Sequence, residues 1–336
     1  LGALAGVATV AGIASLATNW GKLGAEISKS SAVLGVSTSE LQAYQAAARL
    51  AGGSAEDMTG ALKSLGDTLE DASFNRNNHR ADYRTMPDGT QDFAHTRRLA
   101  YILGSRTHED PTSAYDFRAR NTDSIMADIV HSQPVYVGAP ALSWPDTDEF
   151  GSGDLYSDFI DAKTGRDGVV YVGGNGGALH GFSAETGEEV LAYFPAQLTS
   201  TDLYSGYHYL TDPDYTHRYY VDGTPVASDA YIKSSTGGTT GWRTVLIGTY
   251  RGGGRGLFAL DVTDPDDFKA TTTKAQNTVL WEFGDGDDPN IGYSFSKPTI
   301  VLLNNGEWAA IVGNGYENSG SGEAELVILG QRIFGE

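Results

Sequence analysis

The residues best suited to chemistry form one short acidic run. Asp285, Asp287, Asp288 and Asn290 set hard oxygen donors at nearly alternate positions, the donor type calcium selects. An EF-hand loop also needs a turn glycine at position six and a glutamate at position twelve; counted from Asp285, those positions hold Asn290 and Ser296. The same Asp side chains suit another role, accepting local backbone N–H groups in a tight turn. Asp146, Asp148, Glu149 and Asp154 make a looser acidic set with the same two readings. Arg251-Gly252-Gly253-Gly254-Arg255-Gly256 has the glycine content of a phosphate loop, but a strand-like run, Leu257 to Val262, follows it where a phosphate cradle needs a helix N-terminus. It reads as a turn between strands, with two arginines left for an acidic partner. His131, His180, His208 and His217 follow no ligand spacing and read as structural or surface residues. With no Gly-x-Ser-x-Gly elbow, no His-Glu-x-x-His and no clear acid/base pair, no catalytic residue is expected.

These residues sit in a repeat. An apolar run ending in Gly, a Gly-rich turn and a second apolar run occur three times: Val169 to Gly173 with Leu179, Val245 to Gly248 with Leu257 to Asp261, and Ala310 to Gly313 with Leu326 to Leu329. Ser132-Gln133-Pro134-Val135, Gly223-Thr224-Pro225-Val226 and Ser296-Lys297-Pro298-Thr299 precede the copies; Val190 to Phe194 and Val279 to Phe283 follow the first two. Each unit therefore holds about four short strands, the pattern of a β-propeller blade. Proline at the head fits a strand's first residue, which need not donate to the ladder. The repeat spacing, roughly 65 to 90 residues, exceeds the ~40 to 50 of compact blades, so long insertions are expected. The fold class expected is mainly β: a partial, incomplete propeller of about three four-stranded blades after an α-helical N-terminal segment.

Composition agrees: 336 residues with 43 Gly and 18 Tyr suit a glycine-rich β protein with room for two domains. A net charge of -20 argues against nucleic acid or an anionic membrane as partner. The absence of cysteine removes disulfides and thiolate metal sites without deciding the compartment.

The first 73 residues differ. Ser37-Thr38-Ser39-Glu40 and Ser54-Ala55-Glu56-Asp57 open two helical runs separated by Gly52-Gly53, and Met58, Leu62, Leu65 and Leu69 form an apolar seam. A self-packed helical hairpin is expected. Leu1 to Asn19 is uncharged but weakly apolar and has no basic residue before it, which fits neither a signal peptide nor a spanning helix. It reads as a partly buried helix, and the initial Leu as a sign of an internal piece of a longer product. Three regions follow: 1–73 helical, 74–120 linker and lead-in, 121–336 propeller.

Met126 to Gly138 resembles the start of the C-terminal propeller of the PilC/PilY family of type IV pilus tip proteins. Val170 to Phe182, Gly252 to Pro265, Trp281 to Pro298 and Gly313 to Tyr316 match the same family in order. The resemblance implies a non-enzymatic propeller that supports pilus assembly, restrains retraction and in some members adheres to surfaces, with calcium as modulating ion. Its implied partners are pilins, minor pilins or a host surface, and its implied location is the periplasm, outer membrane or cell surface. The family's acidic calcium loop lies beyond the Gly-Asn-Gly-Tyr stretch, and the chain departs at Gly330-Gln331-Arg332-Ile333-Phe334, so that loop is expected to be missing. The Asp-x-Ser-x-Ser motif of the family's von Willebrand factor A-like region is also absent. Trp20 to Phe74 is similar instead to phage tail tape-measure proteins, which makes a phage-related or fusion polypeptide the alternative. Gly177 to Gly187 also resembles the blade repeat of pyrroloquinoline-quinone dehydrogenases, whose quinone and calcium need a complete ring that about three blades cannot close. An incomplete ring leaves a blade edge open to self-association.

Overall fold

The computed structural model describes residues 83–85, 91–109, 117–200, 204–233, 238–268 and 278–330; the helical hairpin and tape-measure-like stretch lie outside the described residues. A short antiparallel pair, β1 (Tyr83–Thr85) and β2 (Gln91–Phe93), leads into helix α1 (Ala94–Ile102). Three antiparallel sheets then follow in chain order. The first holds β3 (Val135–Val137), β4 (Val169–Gly173), β5 (Leu179–Ser183) and β6 (Glu189–Tyr193); the second holds β7 (Val226–Lys233), β8 (Thr240–Thr249), β9 (Gly256–Asp261) and β10 (Val279–Gly284). The third holds β11 (Thr299–Leu302), β12 (Trp308–Gly313) and β13 (Leu326–Leu329), three strands among the described residues where four were expected per unit.

Every apolar run of the repeat is a strand, and each head proline directly precedes a first strand: Pro134 before β3, Pro225 before β7, Pro298 before β11. The serine two residues before the proline has a job. Ser132 Oγ accepts the N–H of Gly173 at 2.8 Å and Ser296 Oγ accepts that of Gly313 at 2.9 Å, so each closes the glycine end of its sheet's second strand. The second unit has Gly223 at this place and uses a backbone bond, Gly223 N–H to the Thr249 carbonyl at 3.0 Å. The first strands are also neighbours, β7 touching both β3 and β11, as innermost blade strands do.

Two cores flank the second sheet. Val245 and Ile247 of β8, with Leu257 and Ala259 of β9, face Ile300, Trp308, Ala310 and Val312 of the third sheet. Leu246, Phe258 and Leu260 point the other way, toward Val137, Val169, Tyr171 and Leu179 of the first. Alternate residues of a strand face opposite sides, so a sheet covered on both sides reads as an unbroken apolar run. Burying each such side chain stabilises by roughly 1.5–3 kcal/mol.

The long insertion between β3 and β4 is helical, with α2 (Asp148–Gly151) and α3 (Tyr156–Lys163). Indole N–H groups dock it. Trp144 donates to the Asp229 carbonyl at 3.0 Å, Trp242 to the Asp154 carbonyl at 2.9 Å and Trp308 to the Phe150 carbonyl at 3.3 Å. Their rings meet edge to face, Trp144 to Trp308 at 5.1 Å and Tyr156 to Trp242 at 4.7 Å, so each indole fills core space while its polar edge is satisfied. A fourth helix, α4 (Gly206–Leu210), lies between β6 and β7 and lends Tyr207 and Leu210 to the first-sheet core.

Candidate functional site

The acidic run Asp285 to Asn290 follows β10 as a turn, and its side chains point at backbone amides. Asp287 Oδ2 accepts the Gly284 N–H and Asp288 Oδ1 the Asn290 N–H, both at 2.9 Å. Asn290 Oδ1 accepts the Ser321 N–H at 2.8 Å, tying the turn to the β12–β13 connection. Asp285 faces Arg255 at 3.6 Å. A carboxylate oxygen that holds a main-chain donor has fewer lone pairs for a cation, so this geometry favours the turn-capping role. Among the described residues no group of three His, Asp or Glu side chains is placed to hold a metal.

The looser acidic set is dispersed. Asp146 Oδ1 accepts the Ser157 N–H at 3.0 Å at the start of α3, and this bond holds its carboxyl below the usual carboxylate range. Asp148 and Glu149 occupy the first turn of α2, where the helix dipole favours negative charge. Asp154 Oδ2 accepts the Tyr231 hydroxyl at 2.9 Å. Three of the histidines are engaged with carboxylates: His131 with Asp222 at 2.6 Å, His180 with Glu189 at 2.6 Å and His217 with Asp128 at 2.8 Å. His208 is buried on α4.

The polar groups that matter most for the architecture were not singled out by spacing. Arg166, in the turn between α3 and β4, donates through Nε to the Gly138 carbonyl at 2.7 Å and through Nη1 to Thr244 Oγ1 at 2.6 Å, with a longer bond to the Thr263 carbonyl at 3.3 Å. One planar guanidinium thus bridges the first and second sheets. Asp229, 4% exposed on β7, accepts the hydroxyls of Tyr156 and Thr244, each at 2.5 Å. Burial, with the hydrogen bond to Asp229, raises the Tyr156 phenol, and burial lowers the Arg166 guanidinium against the pull of Asp229. A second strut joins the outer strands: Glu282 of β10 accepts the Tyr193 hydroxyl and the N–H groups of Ala196 and Gln197 at 2.8 and 2.9 Å. Both constellations hold their polar groups in hydrogen-bonded sets that join one sheet or strand to another. A cavity of about 380 Å³ lies between α3 and the second sheet, with Lys163 paired to Asp264 at 3.4 Å and Arg243 to Asp261 at 3.8 Å on its wall.

The sequence comparisons with known proteins point to one family. The family model described as the PilY1 beta-propeller domain matches residues 126–330. The type IV pilus biogenesis factor PilY1 of Pseudomonas aeruginosa strain PAK is 42% identical over 235 residues, covering 69% of this chain and 18% of that protein. A PilY1 homolog of Xylella fastidiosa is 38% identical over 236 residues, covering 70% of this chain and 18% of that protein. The crystal structure of the P. aeruginosa PilY1 C-terminal domain matches 60% of this chain and 35% of that one at 38% identity, with a TM-score of 0.44. The chain spans about a fifth of the length of these curated relatives. With blade-like sheets in order and a family match over more than half its residues, the chain belongs to the PilY1 β-propeller family.

Proposed function

We propose that this chain is a non-catalytic propeller module of a type IV pilus biogenesis factor, working at the pilus tip or cell surface through contacts with pilins, minor pilins or a host surface. The observation that carries the reading is the ordered family match over residues 126–330, joined to relatives named as type IV pilus biogenesis factors. The paired, inward-turned polar groups support a scaffold over an enzyme. The -20 net charge supports protein or surface contacts over nucleic acid. Among the described residues no helix is long and apolar enough to cross a membrane.

The acidic turn at Asp285, Asp287, Asp288 and Asn290 is proposed as a capped corner, with calcium as the competing reading. Isothermal titration of calcium into the chain separates them, since a 1:1 binding isotherm lost in Asp287→Asn would restore the metal site. The open edge of β13, which pairs only with β12 among the described residues, is proposed as the site of self-association.

The decisive experiment is genetic. In the source cell, the gene is replaced by a version carrying Arg166→Ala and Phe258→Ala, and a version lacking residues 126–330 is compared with it. Loss of surface pili by electron microscopy and of twitching zones, with the remaining protein present by immunoblot, supports the reading. Normal piliation with the deleted form would overturn it.

A further inference from the structure

The glycine-rich loop after β8, which capping, packing and metal arguments leave unused, grips both ends of an aromatic ladder. Arg255 lies over the Tyr293 ring at 5.2 Å; Tyr293 meets Tyr316 at 5.6 Å; Tyr316 stacks on Phe295 at 5.5 Å and 26°; and Arg251 covers Phe295 at 4.8 Å. Two arginines four residues apart thus close a three-ring stack drawn from two other connections. The backbone is shaped for it. Tyr293 and Tyr316 form an isolated antiparallel bridge, and Gly315, at φ +85, brings its main chain so close to the Tyr293 carbonyl that a Cβ would collide. Arg251 itself holds φ +52 inside a loop where neighbouring glycines would adopt that conformation freely.

The ladder faces water: Phe295 is 44% and Tyr316 51% exposed. Neither guanidinium makes a hydrogen bond among the described residues, and the Nε of each is buried without one. Their nearest carboxylates, Asp222 for Arg251 at 4.0 Å and Asp285 for Arg255 at 3.6 Å, stand beyond hydrogen-bond distance. A planar guanidinium held over a ring, with its Nη donors free of hydrogen bonds, suits a carboxylate. Exposed rings between two such forks add an apolar floor.

We infer that this ladder is a docking surface for an acidic peptide segment of another protein, with carboxylates on Arg251 and Arg255 and an apolar side chain between them on Phe295 and Tyr316. Residues 126–330 carry 10 Lys and Arg against 28 Asp and Glu, so a basic partner would find many sites, whereas an acidic one finds few. Repulsion from the rest of the surface is screened beyond about 8 Å at physiological salt, while contact pairs persist. The inference does not depend on the pilus reading.

The test uses the whole chain and a fluorescein-labelled peptide, acetyl-Asp-Phe-Glu-Phe-Glu-amide, with acetyl-Lys-Phe-Lys-Phe-Lys-amide as control. Anisotropy is expected to saturate for the acidic peptide alone, and R251Q/R255Q to weaken it at least about tenfold by removing two charge-assisted contacts. Lys233→Gln is expected to leave binding unchanged. If R251Q/R255Q unfolds at a lower temperature, R251K/R255K is read instead, and still weakens binding because the fork is lost while charge remains. Equal binding of both peptides, no saturation with the acidic one, or unchanged affinity in the arginine variants overturns the inference. A concentration-dependent dimer that R251Q/R255Q abolishes overturns the peptide in favour of a second copy.

Discussion

The second and third sheets use the same strand grammar in opposite surroundings. β8 and β9 are buried on both faces because the first and third sheets cover them, whereas β13 carries Leu326 at 66% and Ile328 at 51% exposure. Apolar side chains of similar size therefore contribute very different stability. Position relative to the neighbouring sheets decides which contacts a strand residue makes, and its residue type alone does not.

The comparison can be broken most sharply in the core. Phe258, fully buried between the first and second sheets, is expected to cost about 3–5 kcal/mol as Phe258→Ala, and Leu326→Ala less than about 0.5 kcal/mol, both read by urea unfolding. Similar losses at the two sites would mean that β13 is covered as β8 is. Next comes the strut. Arg166→Ala leaves the Gly138 carbonyl and the Thr244 hydroxyl without the guanidinium that joins them, for an expected loss of about 1–3 kcal/mol. Arg166→Lys should recover only part, because one ammonium cannot span the three acceptors. Full recovery would show that charge, and not the fork, joins the sheets.

The edge gives a different readout. Leu326→Lys with Ile328→Lys should leave the unfolding midpoint nearly unchanged while shifting light-scattering mass toward the monomer, since charge blunts an open edge. An unchanged mass distribution would move self-association elsewhere. The smallest effect concerns pH. Asp146 has its carboxyl depressed by the Ser157 amide, so it contributes stability above the usual carboxylate range, and that contribution is lost as pH falls through the depressed value. The melting temperature of Asp146→Ala should lie below that of the parent at pH 7 and converge with it in acid; a constant offset would sink the capping role.

Much of this architecture is legible in residue order. The V-L-I-G and L-F-A-L-D runs mark doubly covered strands, and Ser-x-Pro marks a first strand, because period-two burial and the missing proline N–H act locally. The family resemblance drawn from Met126 to Gly138 and the later stretches is matched by the family model. Arg166 was not legible, since its acceptors lie 28, 78 and 97 residues away and two of them are backbone carbonyls. The helical insertion was read only as a long loop. Its docking rests on three indole N–H bonds to backbone carbonyls, and a carbonyl acceptor leaves no mark on residue type. The acidic run was ambiguous for a related reason: calcium and backbone amides both favour Asp, so residue type alone does not separate them.

The alternation on β8 has a consequence for how genes of this kind can change. Val245 and Ile247 belong to one core and Leu246 to the other, so a single inserted codon upstream within the strand would exchange the two sets, sending every side chain to the wrong partner at once. The connection between β3 and β4 carries no such alternation and already holds two helices. Length variation among descendants of this sequence should collect there, and β8 should change only by substitution.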